Sequence, residues 1–115
     1  MAKITSLLFI VPVRDLEKAV SFYGDAFELK EVFRNEQIVF MGIPGTDTAV
    51  GVVRDAAAAG SGPQNVGFHI DHAIKLEDAI ADVERAGGNV LERGEHAPGV
   101  PFARIADPDG NVLWL

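Results

Sequence analysis

The chain has 115 residues, 48% of them apolar, a formal net charge of −7 and no cysteine. This length and apolar content suit one compact domain. The acidic balance argues against nucleic acid or an anionic membrane surface as a partner, because both require a basic face. The absence of cysteine excludes disulfides and thiolate metal sites. No apolar run approaches the ~20 residues of a membrane-spanning helix, so we expect a cytoplasmic protein without a signal peptide.

The first half of the chain reads as a strand, a helix and three more strands. Residues 3–13 are rich in β-branched and large apolar side chains, which predicts the first strand. Asp15 is the predicted N-cap of a helix that ends near Phe27, because apolar residues recur between them at helical spacing. Turn-forming residues then separate three short predicted strands at 29–33, 37–43 and 49–54.

The second half repeats this order after a segment of small residues, 56–64, which we interpret as a flexible linker. A strand at 65–71 and a helix at 76–86, stopped by two glycines, precede strands at 89–92, 101–106 and 111–115. The sequence LEKAV at 16–20 recurs as LEDAI at 76–80, which supports an internal repeat.

Both halves therefore read βαβββ, and the predicted fold class is α+β. We expect a single domain, 1–115, built from a first module at 1–55 and a second module at 65–115. Two curved sheets of this kind, side by side, would enclose a cup with the helices outside. The sequence Asp107-Pro108-Asp109-Gly110 predicts a tight turn before the last strand, and we assign it no chemical role.

Three stretches, VPVRDLEKAVSFYGDAF, GFHID and PFARIADPDGNVLWL, resemble the vicinal oxygen chelate superfamily. This superfamily includes glyoxalase I, extradiol dioxygenases, fosfomycin-modifying enzymes and bleomycin-resistance proteins. The resemblance covers nearly the whole chain and implies the fold, but one such scaffold serves many chemistries. The segment His72 to Lys75 departs from the pattern, because it lengthens the turn between strand and helix in the second half.

The resemblance also implies where a divalent cation would bind in the metal-using members. Those members place a His seven residues before the Asp that opens the first helix, where this chain has Leu8. Their second His corresponds to Asn65, and their Glu after the DPDGN turn corresponds to Trp114. The fourth ligand would fall near Gly51 or Val52. Since only Asn65 offers an oxygen, we expect no metal and no other cofactor.

The same positions predict a pocket for an organic molecule. Leu8, Ile10 and Pro12 share one face of the first strand, and Asn65 and His69 share one face of the fifth. His69 is also the best candidate for a displaced metal ligand or a proton-transfer group, whereas His72 and His96 are expected to be solvated. The facing of Arg104 stays open, and Trp114 suits core packing and ligand stacking equally. The predicted ligand-binding residues are Leu8, Ile10, Asn65, His69, Arg104 and Trp114.

Three functions remain open from the sequence. The preferred one is metal-independent binding of a small organic molecule in a mostly apolar cup, resembling the bleomycin-resistance type. The second is a lyase or dioxygenase-like enzyme with displaced or absent metal ligands. The third is a structural or regulatory dimer. Because small members of the superfamily are typically homodimers with cups built from both chains, the resemblance implies a homodimer; whether the modules pair within or between chains stays open.

Overall fold

The computed structural model describes residue 3 and residues 5–61, 66–71 and 73–115. Within these residues the chain forms two helices and eight strands, and the predicted α+β class and the repeated βαβββ order are confirmed. The first module contains β1 (Leu8–Val13), α1 (Leu16–Phe27), β2 (Lys30–Arg34), β3 (Ile38–Gly42) and β4 (Ala49–Arg54). The second module contains β5 (Val66–Gly67), α2 (Leu76–Arg85), β6 (Asn89–Ala97), β7 (Val100–Ala106) and β8 (Val112–Trp114).

Residues next to each end of helix α1 explain where the helix begins and ends. The carboxylate of Asp15 accepts a hydrogen bond from the Lys18 backbone N–H at 3.1 Å, as an N-cap does. At the other end Glu28 takes a left-handed conformation with φ 57°, and its N–H donates to the Gly24 and Tyr23 carbonyls. The apolar stripe between these ends is buried at Leu16, Ala19, Phe22, Tyr23 and Ala26.

Each module has its own four-stranded sheet. The N-terminal sheet has the strand order β1-β4-β3-β2 and the C-terminal sheet the order β5-β8-β7-β6. In each sheet the first pair is parallel and the other two pairs are antiparallel. A helix must therefore carry the chain across from the first strand of each module to the rest, which is why each sheet has a helix on one face.

Several strand bounds and the linker differ from the prediction. Strand β1 begins at Leu8 rather than at residue 3, β5 is shorter than predicted, and β6 extends beyond residue 92 to Ala97, with two irregular steps in its pairing with β7. The described part of the predicted linker forms a compact turn, in which the N–H groups of Ala58 and Ala59 donate to the Asp55 carbonyl oxygen. Ala59 is buried. Its small side chain lets this turn pack closely against the rest of the protein.

The two modules share one hydrophobic core. Valines of β1 and β4, aromatic residues of α1, and Ile80, Ile105 and Leu113 of the second module belong to the same buried cluster. Helix α1 packs on the N-terminal sheet, α2 packs on the C-terminal sheet, and the helices contact each other. The opposite face of each sheet, here called its open face, therefore points away from this core. In the described part of the chain, neither helix has the length and hydropathy that a membrane crossing requires.

Candidate functional site

The N-terminal open face is aliphatic and aromatic. The residues Ile10, Gly51, Phe40 and Phe33 form one row across β1, β4, β3 and β2. The Phe33 and Phe40 rings lie 5.2 Å apart. Leu8 and Ile10 are 47% and 49% exposed, because no helix covers this side of the strand. Such a half-exposed apolar surface is typical of a binding or association site.

The C-terminal open face has a different composition along the corresponding strands. Its row runs Gly67, Trp114, Arg104 and Glu92 across β5, β8, β7 and β6. The Nε atom of Arg104 donates to Glu92 at 3.2 Å, and the Arg104 Cζ atom lies 5.8 Å from the centroid of the Trp114 ring. The structure therefore settles the facing of Arg104: its guanidinium lies over the same open face as Trp114.

An aromatic cluster extends this row. The His96 and Phe102 rings are stacked with centroids 4.5 Å apart and planes 24° apart. His96 and Trp114 are 6.2 Å apart at 25°, and Phe102 and Trp114 are 5.3 Å apart. We name His96, Phe102, Trp114 and Arg104 the aromatic shelf. A side chain at Gly94 would overlap the Phe102 ring, so this glycine gives the ring its place.

His96 is a residue whose position the sequence did not indicate. We expected it to be solvated in a Gly-rich loop; it is exposed, but it lies in strand β6 and its ring stacks on Phe102. Glycine usually weakens a strand; here it makes room for an aromatic ring from the neighbouring strand. The alternation of Glu92, Gly94 and His96 was a sequence signal for this longer strand, because an extended strand places these three residues on one face.

A cleft of about 560 Å³ lies beside the aromatic shelf. His69, His96, Gly67 and Trp114 contribute to its walls, together with apolar residues including Ile74 and Leu115. His69 lies just beyond the end of β5 and is exposed. Of the predicted site residues, the structure thus brings together His69, Trp114 and, through its contact with Trp114, Arg104.

The other predicted site residues do not join this group within one chain. Leu8 and Ile10 lie on the N-terminal open face, and they line neither this cleft nor the larger one described below. Because the helix-covered faces of both sheets meet in the common core, the two open faces are on different sides of the chain. Asn65 and His72 lie outside the described residues.

The residues at the expected metal positions do not fit a metal ion. Leu8, Gly51, Val52 and Trp114 have no side-chain oxygen, nitrogen lone pair or sulfur to offer a cation. Over residues 5–61, 66–71 and 73–115, no three His, Asp or Glu side chains are grouped closely enough to hold one. Among these residues, no such group forms around His69 to support the hypothesis that it is a displaced metal ligand.

The larger cleft, about 740 Å³, lies between the end of α1 and the segment that follows β5. Phe9, Phe27 and Phe68 form part of its floor, and Asp25 and Asp82 are among the carboxylates at its rim. The Phe27 and Phe68 rings meet edge to face at 4.9 Å. This cleft is on the helix side of the sheets and contains neither Trp114 nor Arg104.

The turn before β8 connects the two modules, a role that we did not assign to it from the sequence. Asp107 accepts hydrogen bonds from the Tyr23 hydroxyl at 2.9 Å, from the Asn111 side-chain amide at 3.0 Å, and from the backbone N–H groups of Asp109 and Asn111. The Asn111 amide also donates to the Pro12 carbonyl oxygen at 2.7 Å. We name this region the junction; it joins β1 and α1 to the end of the second module.

Arg14 and the turn at 55–61 complete the junction. The Arg14 side chain donates to the Asp109 carbonyl oxygen and carboxylate, and to the Ala59 carbonyl oxygen at 3.0 Å. The Gly60 N–H donates to the Asn111 side-chain oxygen at 3.1 Å. Among the described residues, no buried side-chain oxygen or nitrogen lacks a hydrogen-bond partner. The junction therefore pays no penalty for unsatisfied polar groups.

Burial changes the acid–base properties of two junction groups. Burial, assisted by the neighbouring Asp107 carboxylate, raises the pKa of the Tyr23 phenol well above its usual value. Burial also raises the pKa of Asp107, although hydrogen bonds from Asn111, Tyr23 and Asp109 act in the opposite direction. Neither group lines either cleft, so we assign both to the packing of the junction.

The fold and these faces can be compared with known proteins. A family model described as the Glyoxalase/Bleomycin resistance protein/Dioxygenase superfamily matches residues 4–115. The comparison with curated proteins gave no match.

Solved structures with the same fold share little sequence with this chain. A glyoxalase/bleomycin resistance protein/dioxygenase family enzyme from Burkholderia phytofirmans PsJN superimposes with a TM-score of 0.78 at 18% identity, over 93% of both chains. A lactoylglutathione lyase from Agrobacterium tumefaciens gives 0.73 at 20% identity, over 99% of this chain and 92% of that one. A glyoxalase-related enzyme from Fulvimarina pelagi gives 0.72 at 20%, over 99% and 86%. At these identities the likeness shows the fold alone.

Proposed function

Because this chain belongs to the glyoxalase/bleomycin resistance protein/dioxygenase superfamily, we propose that it uses the fold to bind a small organic molecule without a metal ion. The observation that carries the proposal is the chemistry of the open faces. Where metal-using members would need ligands, this chain has Leu8 and Trp114, which supply apolar contact area instead of donor atoms. Pockets for organic ligands are mostly apolar, with few polar groups to orient the ligand.

The proposed binding cup forms from two copies of the chain. The open faces of one chain lie on different sides of it, and each is flanked by an edge strand, β1 or β5, that pairs on one side only among the described residues. Unpaired edges and half-exposed apolar faces favour association. The N-terminal open face of one copy, with Leu8 and Ile10, would then face the aromatic shelf of the other. His69, and Asn65 if it follows the strand alternation, would border this space.

Size-exclusion chromatography with light scattering tests the assembly. A dimer gives twice the chain mass of 12.3 kDa. A single species at the chain mass, at every concentration that is measured, would contradict a cup built from two copies.

Titration with the neutral dye N-phenyl-1-naphthylamine tests binding, because its emission rises in an apolar site. We expect the Trp114→Leu variant to bind about three- to tenfold more weakly, since it loses aromatic stacking but keeps apolar volume. Leu91→Ala, which shortens an exposed side chain outside both clefts, should leave the affinity unchanged. Equal affinity of the Trp114 variant and the wild type would place the dye elsewhere and contradict the proposal.

A second candidate is an enzyme that uses a histidine as acid or base. It is favoured by His69 and His96, which line the same cleft, because imidazole titrates near neutral pH. Elemental analysis and an assay with the methylglyoxal–glutathione adduct distinguish the candidates. Stoichiometric zinc, nickel or iron with turnover would overturn the metal-independent proposal, and metal-free turnover that is lost in His69→Gln would establish the second candidate.

A further inference from the structure

The guanidinium of Arg104 has hydrogen-bonding capacity that the chain does not use. Its Nε atom donates to Glu92 at 3.2 Å, whereas its two terminal nitrogens donate to no acceptor among the described residues. The side chain is held in place by this bond and by the Trp114 ring below it, at 5.8 Å from Cζ. A fixed guanidinium whose two terminal nitrogens are unused can direct two parallel N–H donors at a carboxylate.

The shelf beside Arg104 selects for flat molecules. The rings of His96, Phe102 and Trp114 are within 37° of one another and stack with centroids 4.5 to 6.2 Å apart, so they form one compact aromatic cluster. Next to Trp114, in the same row, Gly67 has no side chain, and a β-carbon there would meet only the Trp114 Cβ atom, at 4.0 Å. An aromatic ring packed against this cluster thus meets the outer ring faces and an open edge at Gly67, with apolar side chains such as Ile74 and Val100 beside it.

The local charges favour an anion over a cation. The only carboxylate in the row, Glu92, is already bonded to Arg104. In the proposed dimer the facing wall includes Leu8, Ile10 and Phe40, which carry no charge, and Lys30, which pairs with Gly42 on the same face and is cationic. A cation on the shelf would lie near the Arg104 charge, and the carboxylate of Asp71 is in the adjoining cleft rather than in this row, whereas an anion would complete the hydrogen bonds of the guanidinium.

We propose that the ligand of this site is a planar aromatic carboxylate, whose ring stacks on His96, Phe102 and Trp114 and whose carboxylate accepts hydrogen bonds from the terminal nitrogens of Arg104. This inference rests on the proposed binding function and adds the chemical class of the ligand. It assigns to His96 and Phe102 a role in binding, and to Arg104 the recognition of the charged group. The net charge of −7 lowers the rate of anion capture at low salt but leaves these contacts intact.

Three matched probes test the proposal by isothermal titration calorimetry on the full chain: 2-naphthoate, 2-naphthamide and 2-naphthylmethylammonium. They share one ring system and differ in charge. We expect 2-naphthoate to bind at least about tenfold more tightly than the amide, because its hydrogen bonds to Arg104 are charge-assisted, and the ammonium probe to bind most weakly. In Arg104→Met the affinity for 2-naphthoate should fall to that of the amide, while the affinity for the amide stays unchanged.

Arg85→Met is the matched control, because Arg85 is an exposed arginine paired with Asp82 on α2 and lies outside both clefts. Its affinities for all three probes should equal those of the wild type. Equal binding of acid and amide, tightest binding of the ammonium probe, or an equal loss of all three in Arg104→Met would overturn the carboxylate inference and leave the proposed binding function standing. Absence of binding by all three probes would contradict both.

Discussion

The junction and the open faces differ in how many of their side chains are buried and hydrogen-bonded by the chain itself. At the junction, Asp107 and Asn111 are at most 2% exposed, and their polar atoms are all hydrogen-bonded. On the N-terminal open face Val32 is 65% exposed, and Phe33, like Leu8, about half. On the C-terminal open face Arg104 keeps unused donors. The difference indicates that the junction serves stability, whereas the open faces hold surface that only another molecule can bury.

This division of roles makes opposite predictions for substitutions in the two regions. A change at the junction should lower the free energy of unfolding, because it removes partners from buried groups. A change on an open face should leave that free energy nearly unchanged and alter association or binding. The four predictions below run from the largest expected loss of stability to the smallest.

Asp107→Ala tests the centre of the junction. It leaves the Tyr23 hydroxyl and the Asn111 amide without their common acceptor, so we expect a loss of about 3 kcal/mol or more in the free energy of unfolding. Urea denaturation measures it. The matched control is Asp47→Ala, an exposed aspartate in a turn, which should cost less than about 0.5 kcal/mol. Similar losses in both variants would show that the junction does not stabilise the module contact.

Gly60→Ala tests the close approach between the turn at 55–61 and the second module. Gly60 has φ +70°, and a β-carbon there would overlap the Asp109 carbonyl oxygen. Gly45 has a similar φ of +82° with open space around it. We expect Gly60→Ala to cost about 2–3 kcal/mol and Gly45→Ala only about 1 kcal/mol, the cost of the left-handed backbone. Thermal or urea unfolding of both variants gives the difference, and equal costs would contradict the close packing.

Tyr23→Phe removes one hydrogen bond from Asp107 and keeps the ring packing. We expect a loss of about 1–2 kcal/mol at neutral pH. The pKa of Tyr23 is raised in the folded chain, so the stability that comes from its protonated state is complete below the usual phenol pKa of about 10 and is lost as the pH rises above it. The difference between wild type and variant should therefore shrink at alkaline pH.

The ultraviolet absorbance of the phenolate gives an independent check, because Tyr23 is the only tyrosine in the sequence. In the folded protein the phenolate band should appear above the pH at which a free phenol ionises, or only when the protein unfolds. Ionisation near a pH of about 10 with the fold intact would contradict the buried environment.

Ile10→Glu tests the N-terminal open face. Ile10 is half exposed and outside the core, so the substitution should cost less than about 1 kcal/mol in folding. A charge in the middle of an apolar interface should nevertheless dissociate the proposed dimer, which light scattering detects as the mass of a single chain. Leu91→Glu, on an exposed apolar residue of β6 that lines neither cleft, is the control. A variant that remains dimeric would place the contact elsewhere.

The helices and the repeat could be predicted because their signals are local. The Asp15 cap and the apolar stripe of α1 lie within a few residues of each other, and both are found as predicted. The two βαβββ modules follow from the same kind of signal, since turn residues and alternation mark each strand.

The junction and the shelf could not be predicted because they depend on distant residues. Asp107 forms its turn as expected, but its partner Tyr23 is 84 positions away in the sequence. The facing of Arg104 depended on the register between β7 and β8, which the sequence left open. His96 was placed in a loop because Gly94 reads as a strand breaker, and only the Phe102 ring above that glycine explains the strand.

The residues of the aromatic shelf contribute little to the core that holds the modules together, since none of them belongs to the buried cluster. If the proposed binding function holds, replacement of these side chains should alter which compound is bound while the scaffold stays folded. Proteins with this architecture could evolve a new binding specificity by substituting a few exposed residues, without first becoming more stable to tolerate those substitutions.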